Sequence, residues 1–151
     1  MALHTLSASA DIAAPAARAY HLIADYRAGH PRILPKPPFI SLDVEAGGVG
    51  AGTVVRCKMR FLGLVQTFWS DIEEPEPGRL LVERIRKSGM VTRFVVEPLA
   101  PDLCRVTIAT DVPVLGGWLG RLQGKWMEKV LLPTYRAELG LLAEVAGADA
   151  T

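Results

Sequence analysis

Between Phe39 and Val112 the chain alternates polar and apolar residues with period two, broken at short intervals by turn signals. This pattern constrains the fold most, because period two belongs to half-buried strands, and tight turns join antiparallel neighbours. The spacing predicts strands over Ile40–Glu45, Thr53–Phe61, Leu64–Glu73, Arg79–Lys87, Met90–Glu97 and Leu103–Asp111. Their separators are Gly47-Gly48 with Gly50, Leu62-Gly63, Pro75 to Gly78, Ser88-Gly89 and Pro98 to Asp102.

If Leu62-Gly63 is a two-residue turn, Phe61 faces Leu64, Met59 faces Gln66, Cys57 faces Phe68 and Val55 faces Ser70. That face is mostly apolar, whereas Arg56, Lys58, Arg60, Thr67, Trp69 and Asp71 make the other one polar. Trp69 lies opposite Arg56, as in a surface cation–π pair. The same rule around Ser88-Gly89 pairs Lys87 with Met90, Ile85 with Thr92, Glu83 with Phe94 and Leu81 with Val96. Arg84, Arg86, Arg93 and Glu97 then point the other way. Two hairpins read independently give one charged face and one dry face, and a dry face needs a cover.

The cover follows Pro113 and Gly116-Gly117 as a long helix running to about Ala146. Leu115, Leu119, Leu122, Trp126 and Val130 fall in an ~80° stripe at roughly 100° per residue. Past Pro133, which is expected to kink the helix, Ala137, Leu141 and Val145 continue the apolar set. Trp126 reads as core or cavity wall, and Trp118, at one edge, could gate an entrance. Arg121, Lys125 and Lys129 form a basic strip that is either a solvated face or a weak membrane-docking surface. Ahead of the meander come a strand over Leu3–Ile12 and a helix with Pro15 at its first position, ending near Tyr26. The 27–38 connector carries Gly29, Pro31, Pro35, Pro37 and Pro38 and can hold at most one short helical turn.

The dry face is interrupted by Gln66, Ser70, Glu83, Thr92 and, from the last strand, Thr110. Either these sit at sheet ends and pair with backbone, or they line a cavity and orient a polar group on a ligand. Glu83 is the most informative, since a carboxyl in an apolar site has a raised pKa and could exchange protons. It is the best catalytic candidate. The cavity reading also takes Val55, Cys57, Met59, Phe68, Ile85, Phe94 and Ile108 from the sheet, with Leu122, Trp126 and Val130 from the helix.

Composition narrows the partners. A formal net charge of +1 over 151 residues gives no general reason to expect nucleic acid or stable membrane insertion. No apolar run approaches the ~20 residues that span a bilayer, and the first residues lack a secretory pattern, so the expectation is one cytoplasmic domain over residues 1–151. Cys57 and Cys104 read as small hydrophobes in strands. His4, His21 and His30 have no metal-ligand spacing, so neither metal nor cofactor is expected.

Several segments, in order, resemble the START-like (SRPBCC) superfamily of polyketide cyclases/dehydrases and lipid-transfer proteins. They are Ala10 to Pro15, Ala24-Asp25-Tyr26 with His30-Pro31 and Leu34-Pro35, and Trp69 to Pro75 running into Arg79. Phe94 to Pro98, Gly116 to Leu122 and Leu132 to Leu139 complete the set over nearly the whole chain. The resemblance implies an α+β helix-grip fold: a seven-stranded curved antiparallel sheet around a long C-terminal helix, with two short helices between strands 1 and 2. It implies a small hydrophobic ligand (lipid, quinone or polyketide-like); the oligomeric state stays open, a weak homodimer included. The iron-binding His and Asp pattern of the ring-hydroxylase members is missing. Three roles stand open: first a carrier or sensor, then a cyclase, dehydratase or isomerase using cavity residues such as Glu83 or Gln66, then an interaction module with a filled core. A carrier needs no perturbed acid in its cavity, whereas an enzyme does.

Overall fold

In a computed structural model describing residues 2–148, the chain runs β1 (Ala2–Ile12), α1 (Ala16–Ala24), α2 (His30–Ile33), β2 (Phe39–Ala46) and β3 (Val54–Phe61). It continues through β4 (Leu64–Glu76), β5 (Leu80–Ile85), β6 (Val91–Ala100), β7 (Leu103–Val114) and α3 (Gly117–Ala148). The strands form one curved antiparallel sheet in the order β1-β7-β6-β5-β4-β3-β2. Helix α3 packs mainly on β1, β7, α1 and α2. The dry face of β2 to β5 is thereby left with open space beneath the helix. This is the helix-grip arrangement.

The first hairpin has the expected register, from Phe61↔Leu64 to Val55↔Ser70. Leu62 (φ 52°) and Gly63 (φ 80°) supply the two positive φ values that a twist-matched two-residue turn requires. The second hairpin differs from expectation. Glu83 pairs with Thr92 and Leu81 with Phe94, two residues away from the expected partners, because the turn takes Arg86 to Gly89 rather than Ser88-Gly89 alone. A slip of two preserves every face, so the charged and dry sides stand as expected. The charged side is laced by cross-strand pairs, among them Arg86–Asp71, Arg93–Asp111 and Arg105–Asp11. Trp69 does not stack on Arg56. Its indole N–H donates to Glu45 (3.1 Å), and Arg56 reaches Asp43 and Glu45.

Boundaries shift modestly. Pro15 caps α1 from outside the helix, which ends at Ala24, and Pro113 lies within β7. The loop from Gly47 to Thr53 is more than a turn, because it clamps the end of α1. Tyr26 N–H donates to Gly48 O and Gly50 N–H to Ala24 O, both at 2.9 Å.

Helix α3 overturns one expectation outright. The stripe Leu115, Leu119, Leu122 and Trp126 is at least half exposed at each residue, while Gly120 and Gly124 are buried. A Cβ on Gly124 would run into the His4 ring, so the missing side chain is what lets the helix lie close on β1. Farther along, the buried row is Leu131, Tyr135, Glu138, Leu142 and Ala146, not Ala137, Leu141 and Val145; Ala137 is exposed. The buried row lies roughly 160° round the helix from the outward stripe. The helix is continuous through Pro133, which faces solvent.

Candidate functional site

A cavity of about 490 Å³ lies between the dry face and α3. Strand alternation turns Val55, Cys57 and Met59 of β3 into it, together with Gln66, Phe68 and Ser70 of β4. Glu83 and Ile85 of β5, Thr92 and Phe94 of β6, and Trp126 and Val130 of α3 join them. Two expected residues do not line it. Ile108 is packed in the core at 1% exposure, and Leu122 points to solvent at 57%. Trp118, the expected gate, is also outside the lining and 64% exposed. Cys57 and Cys104 are free and buried, and burial pushes the Cys57 thiol up to about 12, leaving it un-ionised and inert.

At the closed end the cavity holds a polar cluster. The Tyr26 hydroxyl donates to Glu83 Oε1 at 2.6 Å. The Tyr26 ring stacks on His30 with centroids 4.4 Å apart, and His30 meets Phe94 edge-on. His30 Nδ1 lies 2.7 Å from Ile23 O; a carbonyl only accepts, so Nδ1 carries the proton and Nε2 of the neutral ring offers its lone pair. That Nε2 sits 3.9 Å from Glu83 Oε1 and 3.7 Å from Glu138 Oε1. Glu138 is 4% exposed, and its Oε1 has no hydrogen-bond partner. Beside it, the Thr92, Thr110 and Tyr135 hydroxyls form a chain with spacings of 2.8 and 2.5 Å.

Burial, and then the nearby charge of Glu83, holds the Glu138 carboxyl well above the usual carboxylic range. Burial also lowers the His30 imidazole, against the opposing pull of Glu83 and the Ile23 carbonyl. The site therefore sets an un-ionised acid beside a neutral base. Among the described residues no Lys or Arg lines the cavity to neutralise either carboxyl. Among the described residues no group of three or more His, Cys, Asp or Glu side chains is arranged to hold a metal ion.

Sequence reasoning found Glu83 and missed its companions. Tyr26 lies just past α1 and His30 in the connector, where no periodicity applies; the loop clamp holds Tyr26 through Gly48 O, and His30 N–H donates to Asp25 O. Glu138 did leave a signal: Leu131, Tyr135, Glu138 and Leu142 recur at spacings of four, three and four, a buried helical row with a carboxyl in it.

A curved sheet and a long helix thus enclose an apolar cavity with one polar end. The chain belongs to the polyketide cyclase/dehydrase and lipid transport family, whose profile matches residues 4–147. Among solved structures it is similar to the Zhui aromatase/cyclase from a Streptomyces species (TM-score 0.79, 19% identity, covering 99% of this chain and 97% of that one). It is equally similar to the KanY protein (TM-score 0.79, 21% identity, covering 97% and 99%). A START superfamily protein from Mycobacterium smegmatis aligns at TM-score 0.76 with 18% identity, covering 96% and 98%. At these identities the likeness is one of fold. Comparison with curated protein sequences finds no match.

Proposed function

We propose that this protein is an enzyme of cyclase or dehydratase type, acting by acid–base chemistry on a small hydrophobic, oxygen-bearing molecule held in the cavity. The observation that carries this reading is Glu138, a buried carboxyl whose Oε1 has no hydrogen-bond partner among the described residues and lies 3.7 Å from the His30 Nε2 lone pair. A carrier, ranked first from sequence alone, has no use for such a group, and burying it without a partner is costly.

The geometry supports a concrete division of roles. Apolar walls hold the body of the substrate, and its carbonyl or hydroxyl points to the closed end. In a dehydration, His30 Nε2 takes a proton from carbon while Glu138 gives its proton to the departing hydroxyl, which leaves as water as the double bond forms. The imidazolium then returns its proton to the Glu138 carboxylate 3.7 Å away, restoring both groups. Glu83, held by Tyr26, stabilises the transient imidazolium. Having no cation, the lining favours neutral substrates over carboxylates or phosphates.

The test begins with native mass spectrometry of protein from its own host and identification of any retained molecule, which is then offered to wild type and to Glu138→Gln. Turnover by wild type and binding without turnover by the variant support the enzyme. Equal retention of an unchanged ligand by both makes the protein a carrier.

A further inference from the structure

The cavity opens between the tip of the β3–β4 hairpin and the outer side of α3, since Leu62, Leu64 and Trp126 both line it and face solvent at 81%, 66% and 52%. The apolar surface does not stop at this mouth. On one bank it continues to Val65 (49%), and on the other along Leu122, Leu119, Trp118 and Leu115, each at least half exposed. Isolated exposed apolar residues are ordinary, but two banks of them framing one opening mark a contact surface.

Charge identifies what it contacts. From Leu115 to Val130 the chain carries Arg121, Lys125 and Lys129 against one acid, Glu128, which lies 3.3 Å from His4. Arg121, Lys125 and Lys129 are exposed and lie next to the apolar stripe. Across the mouth, exposed Lys58 and Arg60 stand on the outer, charged face of the hairpin, which has no acid between Cys57 and Ser70. The net charge of +1 conceals this asymmetry. Large apolar and Trp side chains beside Lys and Arg are what an interfacial helix presents to an anionic bilayer. None of the described helices is long and apolar enough to cross a membrane, so the contact is at its surface.

We propose that this rim docks the protein on an anionic lipid surface with the cavity mouth against the bilayer, so that a hydrophobic ligand enters without crossing water. The docking holds whether the cavity is catalytic or not.

Vesicles of phosphatidylcholine, with and without phosphatidylglycerol, provide the probe, read by co-sedimentation and tryptophan emission. Binding to the mixed vesicles, weakened by salt, with a blue shift from Trp118 and Trp126, is the expected result. Lys125→Glu with Lys129→Glu should lower the partition at least about 30-fold, at about 1 kcal/mol per lysine near an anionic surface. Leu115→Ser with Leu119→Ser, both outside the cavity lining, should also weaken it while circular dichroism stays unchanged. Absence of binding to either vesicle overturns the proposal. So does concentration-dependent dimerisation in light scattering that the Leu115/Leu119 variant abolishes while vesicles remain unbound, because a second copy would then be the cover.

Discussion

In a Glu138→Gln protein, turnover is expected to fall by about 10²- to 10⁴-fold, the usual worth of a positioned general acid, with ligand affinity nearly unchanged. Gln keeps the shape and a hydrogen-bond donor but has no proton to give. The same groups set a bell-shaped pH dependence. Rates fall on the acid side as His30, whose pKa burial lowers below the usual 6.5, becomes protonated and loses its lone pair. They fall on the basic side as Glu138 ionises, at a pH well above its ordinary 4.5. Stability supplies a second readout with a definite sign. The folded state holds the Glu138 proton more tightly than the unfolded chain, so folding is favoured below the unfolded pKa. That advantage is lost as pH rises from 4.5 through the raised value. Denaturant titrations of wild type should therefore weaken relative to Glu138→Gln across that window. A variant that turns substrate over at the wild-type rate would remove Glu138 from the mechanism.

Gly50→Ala is expected to cost about 3 kcal/mol, against about 1 kcal/mol for Gly52→Ala. Both glycines have positive φ (68° and 89°), so both substitutions carry left-handed strain. Only Gly50 is also crowded: a Cβ there would collide with the Glu74 carboxylate, whereas nothing lies within 4 Å at Gly52. Glu74 cannot simply swing away. Its two oxygens accept from Ala51 N–H and the Tyr20 hydroxyl, each at 2.7 Å. Those bonds tie the β2–β3 loop to α1, and the same loop holds Tyr26 through Gly48. Gly50→Ala should thus also loosen the Tyr26–Glu83 pair at the cavity's closed end. Equal losses for the two variants in urea denaturation would mean that φ strain alone matters and that the clamp is unimportant.

How much of this was legible in the chain varies by element. The period-two segments reported the sheet, its two faces and most of the cavity wall, because a strand's neighbours alternate whatever lies above them. Even the misread second turn left the faces intact, since a slip of two residues returns each side chain to its own side. The closed end was less legible. Glu83 showed itself as a carboxyl on an apolar strand face, but its partners come from a connector and a helix turn far away in sequence. Ile108 obeyed the alternation rule yet became core, because inward pointing does not distinguish a residue under the cavity from one under packed helix.

What the sequence determined by itself is therefore the set of rules that act between near neighbours: strand alternation, turn chemistry, and the amphipathic helix as cover. Tertiary structure decided which side of that helix faces inward. The largest apolar stripe suggested Leu115 to Trp126, but Gly124 admits closer approach to His4 of β1, and that packing turns the stripe outward beside the cavity mouth. Tertiary structure also brought His30, Glu83 and Glu138 to one point, because the shifts that define an acid and a base there arise from burial and from charges across space.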